Sequence, residues 1–221
     1  MKPAWNGKDT QMINIFQILI SLLALLNIQY AAKEHKINQN AKASVSKSVK
    51  NKLDKKEKIF NFIKLVQPKY STSYIKKIVD AIFKYSIKYK IDPYIITTTA
   101  YVESEFNMKS GPCVGIMQVY KPTLRWLDPK KEYDINTIDG NIGLGTKELS
   151  EHYNFRYLRG NQMDRSSNNF NALKIMWGKY NGSGPRSSYV SKTFNALRIL
   201  SLKNIDDIER LLRTKPIWVK W

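Results

Sequence analysis

Cysteine is nearly absent: Cys113 is the only one in 221 residues, so no internal disulfide can form and the redox compartment cannot be read from bridges. Histidine is almost as scarce. His35 and His152 stand far apart and far from Cys113, in no spaced cluster with carboxylates, which excludes a metal site of the usual ligand spacing and leaves any chemistry metal-free and without a cofactor. With no base near it in sequence, Cys113 reads as a small, partly buried loop residue and not as a nucleophile. Acidic residues are also short, 18 against 37 Lys and Arg, for a formal charge of +19. The excess is spread over both halves of the chain, and such a field attracts polyanions, whether nucleic acid, anionic lipid headgroups or the acidic polymers of a cell envelope, without choosing among them. No internal repeat is evident. A hydrophobic content of 43% excludes wholesale disorder, and the length suits one domain with appendages.

Charge is missing altogether from Thr10 to Ala32, where Ile13 to Ile28 is dominated by Ile, Leu and Phe. This stretch is long enough to span a bilayer, and its apolar residues surround a helix on all sides, which argues against a buried core helix. Gln29-Tyr30-Ala31-Ala32 makes a poor cleavage site, so residues 1–32 read as an uncleaved signal anchor, with a cleaved signal peptide as the alternative. No cysteine follows the stretch, which excludes a lipoprotein anchor. Residues 33–58, rich in Lys, Asn, Ser and Ala and without an aromatic, bury too little to order themselves and read as a disordered basic linker. The linker lacks arginine and interleaved aromatics, so specific nucleic-acid recognition is not expected.

The folded part is expected from Ile59 to Trp221 and to be mainly α-helical. Ile59, Phe60, Phe62, Ile63 and Val66 form an amphipathic helix ended by Pro68. A second helix starts at Ser71 to Ser73 and runs to about Lys90, with Ile75, Ile78, Val79, Ile82, Phe83 and Ile87 as its core stripe. A third begins at Asp92, a capping residue, followed by Pro93, whose fixed φ and missing N–H suit the first helical turn. Its β-branched run from Ile95 to Thr99 taken alone favours a strand. The cap decides for a helix, on which Ile96, Ala100 and Glu103 share one face. A carboxyl on the apolar face of a helix loses hydration, which raises its pKa toward the range of a general acid.

Further short elements follow: a helix over Pro122 to Leu127, a segment Asn141-Ile142-Gly143-Leu144-Gly145 leading into a helix from Thr146 to Leu158, and a polar loop over Gly160 to Asn168. A helix over Phe170 to Lys179 then ends in Tyr180-Asn181-Gly182-Ser183-Gly184-Pro185. A long helix from Tyr189 to Leu202 and a short one from Ile205 to Leu212 close the fold, with Trp218 and Trp221 as packing residues and sugar stacking as their alternative.

Glu103-Ser104, followed by Phe106, a polar loop and Gly115-Ile116-Met117-Gln118, resembles the active-site segment of the lytic transglycosylases, the family related to goose-type lysozyme. Asn141, Ile142, Gly145 and Leu149 match a second segment of that family, and Tyr180-Asn181 a third, where Lys179 and Ser183 depart from the usual Ala-Tyr-Asn-Ala-Gly. The resemblance spans roughly Tyr94 to Tyr189. It implies a lysozyme-like helical domain with a small β-hairpin near Gly115 to Tyr120 and a groove for the glycan strands of peptidoglycan.

The resemblance further implies that Glu103 is the catalytic residue, acting first as acid and then as base. By the same resemblance it is expected to cleave the β-1,4 bond between N-acetylmuramic acid and N-acetylglucosamine and to leave a 1,6-anhydro sugar. Ser104 and Tyr180 are expected to orient Glu103, and Met117, Gln118 and Asn181 to line the sugar subsites, with Ser110 as the counterpart of a loop serine. Most glycoside hydrolases use two carboxylates, and this sequence offers one candidate. The resemblance places the chain in the cell envelope, anchored in the inner membrane with the catalytic domain in the periplasm, or exported. Lysines after the apolar stretch would by themselves hold the domain inside. Housekeeping, a secretion system or a phage assembly are all open as its setting. Three alternatives stand beside this reading: a goose-type hydrolase of the same bond, a non-catalytic glycan-binding scaffold, and a basic nucleic-acid-binding membrane protein, which fits the charge and little else.

Overall fold

Helix 2 shows how local chemistry sets the frame. Ser71 accepts a hydrogen bond from the Tyr74 amide at 3.2 Å and opens the helix Thr72–Tyr89, which stops where Lys90 turns left-handed at φ 55°. The computed structural model describes residues 49–157, 170–202 and 205–214, together with Lys33, His35, Lys36, Gln39 and Ser46. The chain divides into two units, Met1–Leu53 and Asp54–Trp221. In the first, the described residues are helical.

The second unit runs α1 (residues 54–66), α2 (Thr72–Tyr89), α3 (Pro93–Ser104), β1 (Cys113–Val114), β2 (Val119–Tyr120), a single 3₁₀ turn (Lys121–Thr123), α4 (Leu124–Leu127), α5 (Ile138–Tyr157), α6 (Phe170–Tyr180), α7 (Ser188–Leu200) and α8 (Ile205–Thr214). The strands pair antiparallel, Cys113 with Tyr120 and Val114 with Val119. The architecture is mainly helical with one small hairpin, as a lysozyme-like domain requires. α2 packs on α5, α3 on α7, and α5 on α6. One core joins them, with Phe62, Ile78, Ile82, Ile96, Phe106, Ile142, Leu149, Leu173 and Trp177 all fully buried. At about 25 cal/mol per Å² of apolar surface, each such side chain contributes roughly 1.5–3 kcal/mol.

Several expectations need correction. The basic linker does not extend to residue 58, because residues 49–58 are helical. Ile59, Phe62 and Ile63 bury one face of α1 completely, and a helix anchored there grows backward through Lys and Glu, which favour it. Ion pairs from Lys55 to Asp92 (3.0 Å) and from Lys56 to Asp80 (2.9 Å) hold that extension. Ile87 does not belong to the core stripe of α2 and is exposed. The third correction concerns α5, which begins at Ile138, so that Asn141 to Gly145 lie inside the helix and not before it. A Cβ on Gly145 would come within 2.4 Å of the Met117 side chain, so its absence serves close packing. Among the described residues no helix is long and apolar enough to cross a membrane. The apolar stretch from Thr10 to Ala32, the loop Gly160 to Asn168, Leu158, Trp218 and Trp221 lie outside the described residues.

Candidate active site

The site is built from the end of α3 outward. Asp92 caps the helix by accepting from the Tyr94 amide at 2.8 Å, with Pro93 in the first turn. The β-branched run is accommodated because the threonine hydroxyls turn back on the helix: Thr97 donates to the Pro93 carbonyl (2.7 Å), Thr98 to Ile95 (3.1 Å) and Thr99 to Ile95 (2.8 Å). Thr99 also accepts from the indole N–H of Trp177 at 2.9 Å, which fixes α3 to α6. These bonds let a helix buried on nearly every face carry polar residues through the core and deliver Glu103 in its last turn.

Two consecutive residues then reverse the chain: Glu105 at φ 54° and Phe106 at φ 65° both occupy the left-handed region. The Phe106 ring is fully buried and meets Phe62 edge-on, which holds the reversal in place. The segment that follows returns as the hairpin. Lys109 bridges Gly115, and Gln118, at φ 48°, donates its side-chain amide to the Gly115 carbonyl at 2.7 Å.

Asn141, fully buried on α5, grips this hairpin. Its Oδ1 accepts from the Met117 amide at 2.8 Å, and its Nδ2 donates to the carbonyls of Val114 (2.8 Å) and Ile135 (3.1 Å). Gly115 lies so near that a Cβ there would come within 2.1 Å of Nδ2. The other end of residue 117 is held from α6, where the Tyr180 hydroxyl donates to the Met117 carbonyl at 2.7 Å.

Among the described residues, Glu103 receives its one side-chain hydrogen bond from α7. The hydroxyl of Tyr189 donates to its Oε1 at 2.6 Å, across 86 residues of chain. Burial pushes the Glu103 carboxyl up from 4.5 to about 7; the Tyr189 bond opposes the rise, the charge of Glu148 adds to it and Lys109 opposes it. Tyr189 is itself raised well above 10, first by burial and then by the charge of Glu103, so it remains a donor. Tyr180 is raised in the same way, with Glu148 and Glu103 as its charged neighbours. Burial and the same two carboxylates also raise the thiol of Cys113, which makes it a poorer nucleophile.

The expected site residues divide into three groups. Glu103 stands where the helix spacing placed it. Ser104 and Tyr180 lie beside it but do not hydrogen-bond it: the Ser104 hydroxyl donates to the carbonyls of Ile116 (2.6 Å) and Ala100 (3.2 Å), so both residues set the hairpin and not the carboxyl. The Met117 side chain is fully buried over Gly145, leaving Gln118 partly buried, and Ser110 and Asn181 exposed.

Sequence reasoning missed two residues. Tyr189 was legible only as the start of a helix, and nothing local announced its partner. Glu148, on α5, is 6% exposed. Its signal was present: Asn141, Gly145, Glu148 and His152 follow at helical spacing, but only a helix beginning before Asn141 puts them on one face. Residues 80–187 match the family model described as the transglycosylase SLT domain, from within α2 to the cap of α7. No curated protein matches the chain.

Proposed function

We propose, on the premise that residues 80–187 are a transglycosylase SLT domain and the chain therefore a lytic transglycosylase-type enzyme of peptidoglycan, that it cuts the β-1,4 bond between N-acetylmuramic acid and N-acetylglucosamine. One observation carries the reading: Glu103 titrates at about 7 and is held by Tyr189 at 2.6 Å, so it keeps a transferable proton near neutrality. In the first step Glu103 gives that proton to the glycosidic oxygen as the bond from the muramoyl C1 breaks. In the second, the carboxylate takes the proton of the same sugar's C6 hydroxyl as O6 bonds to C1. Glu103 ends protonated, no water is consumed, and the product is a 1,6-anhydro sugar. Tyr189 stabilises the carboxylate between the steps.

Ser104, Met117 and Tyr180 serve this reading by fixing the hairpin that borders the groove, and Gln118, Asn181 and Ser110 supply polar groups along it. A hydrolytic reading has one observation in its favour, the second carboxylate Glu148, since two carboxylates can activate a water. Digestion of purified peptidoglycan by the full chain, beside Glu103→Gln, separates the readings by mass. Anhydro-muropeptides are expected from the first and a loss of about 10²-fold to 10⁴-fold from the second. Hydrated reducing ends would establish the hydrolase, and a wall that is bound but uncut would overturn both.

A further inference from the structure

Glu148 takes no part in the steps written above, and its environment is unusual for a carboxylate. It is 6% exposed, and no described Lys or Arg pairs with it. The nearest ring nitrogen is the Nε2 of His152, one helical turn on, at 3.8 Å from Oε1, which is too long for a hydrogen bond. No described residue donates a hydrogen bond to it. Yet no buried side-chain oxygen or nitrogen among the described residues lacks a partner, so the carboxylate oxygens of Glu148 are not sealed in protein but meet open space. Holding a carboxylate in that state is costly unless something else supplies the donors.

The direction in which it faces is fixed from several sides. On α5, Asn141 and Gly145 grip the hairpin through Met117, and His152, farther along the same face, meets the ring of Tyr180 edge-on at 6.5 Å. Glu148 stands between these anchors. Its charge reaches Glu103 on α3, Cys113 on β1, Tyr180 on α6 and Tyr189 on α7, so four elements of the candidate active site bring a titratable group within its reach.

We propose that Glu148 is a second substrate-facing carboxylate of this groove, which accepts a hydrogen bond from a neutral donor of the bound glycan, a sugar hydroxyl or an acetamido N–H, while His152 steadies it from the protein side. Hydroxyl and N–H donors satisfy a carboxylate strongly. A cation would do so too, but the chain's charge of +19 opposes its approach. The inference rests on the glycan-cleaving reading.

The test uses the full chain carrying Glu103→Gln, which binds without turnover, titrated calorimetrically with a tetrasaccharide of alternating N-acetylglucosamine and N-acetylmuramic acid. Adding Glu148→Gln, which keeps the volume and removes the charge, is expected to raise Kd by about tenfold or more, the loss typical of a hydrogen bond to a charged group. Glu148→Asp, which keeps the charge on a shorter stem, should recover part of it, and melting temperatures read alongside show that both variants fold. No binding by the Glu103→Gln chain would overturn the glycan groove itself and this inference with it. Binding of equal strength with and without Glu148→Gln would overturn the inference alone. In the active chain, Glu148→Gln is expected to raise KM and to move the alkaline fall of kcat/KM to lower pH, which a purely structural residue would not do. A hundredfold loss of kcat at unchanged KM would overturn the acceptor role in favour of a base.

Discussion

A carboxylic acid that holds its proton to about pH 7 in the fold, against 4.5 when the chain is open, ties stability to pH. The folded state binds the proton more tightly, so Glu103 favours folding fully below pH 4.5, and that contribution is lost as pH rises through 7, amounting to about 3 kcal/mol. Glu103→Gln is therefore expected to melt with the wild type at pH 4 and above it at pH 8, as thermal scans at the two pH values would show. Tyr189→Phe removes a bond that favours the ionised form. The alkaline limb of kcat/KM should then move to higher pH, with lower activity throughout, measurable in a pH–rate profile. At this scale the inward aim of Glu103 was readable because Asp92, Pro93, Ile96 and Ala100 fix a helix and a face within twelve residues. Tyr189 was not, since a contact across 86 residues leaves no local pattern. Ser104 and Tyr180 were placed near the right group and given the wrong partner. A hydroxyl takes the nearest free carbonyl, here those of Ile116 and Met117, which only the folded hairpin supplies.

Elements are positioned by a few buried polar groups more than by propensity. α3 is a helix although five of its first seven residues are β-branched, because three threonine hydroxyls satisfy its carbonyls and the core closes around it. α5 contains glycines where its partners come too close for a side chain, and that is why its start was misplaced: their conformational freedom reads as a loop until Met117 is seen against Gly145. The same partner explains the hairpin. Asn141→Ala would strip the Met117 amide and the carbonyls of Val114 and Ile135 of their buried partner, at about 1–3 kcal/mol per unsatisfied group. Chemical denaturation should show a loss of at least about 2 kcal/mol, with activity falling as the hairpin leaves its register.

For the whole molecule, the charge of +19 is the property that acts at a distance. Attraction to an anionic wall or vesicle surface is screened beyond roughly 10 Å at 0.1 M salt, so binding is expected to weaken steadily between 50 and about 500 mM salt in a sedimentation assay. Binding that ignores salt would show that apolar or groove contacts dominate. Charge pointed to a class of partner, but the motifs chose among polyanions, because only side chains at fixed spacing carry chemistry. The hydropathy pattern gave the helices and not their packing, and the basic segment before Ile59 read as linker because its helix is anchored from outside itself. The direction in which the chain threads this core has its own consequence. α3 starts at Pro93 and reaches the hairpin with its last turn, so Glu103 arrives among backbone carbonyls, at the partly negative end of the helix dipole. There the dipole disfavours a second negative charge by about 0.3–1 kcal/mol and helps keep the proton in place. Run in the opposite sense, the same helix would set the same residue among amide N–H groups and favour its ionised form, so the polarity of one helix helps decide that Glu103 keeps its proton.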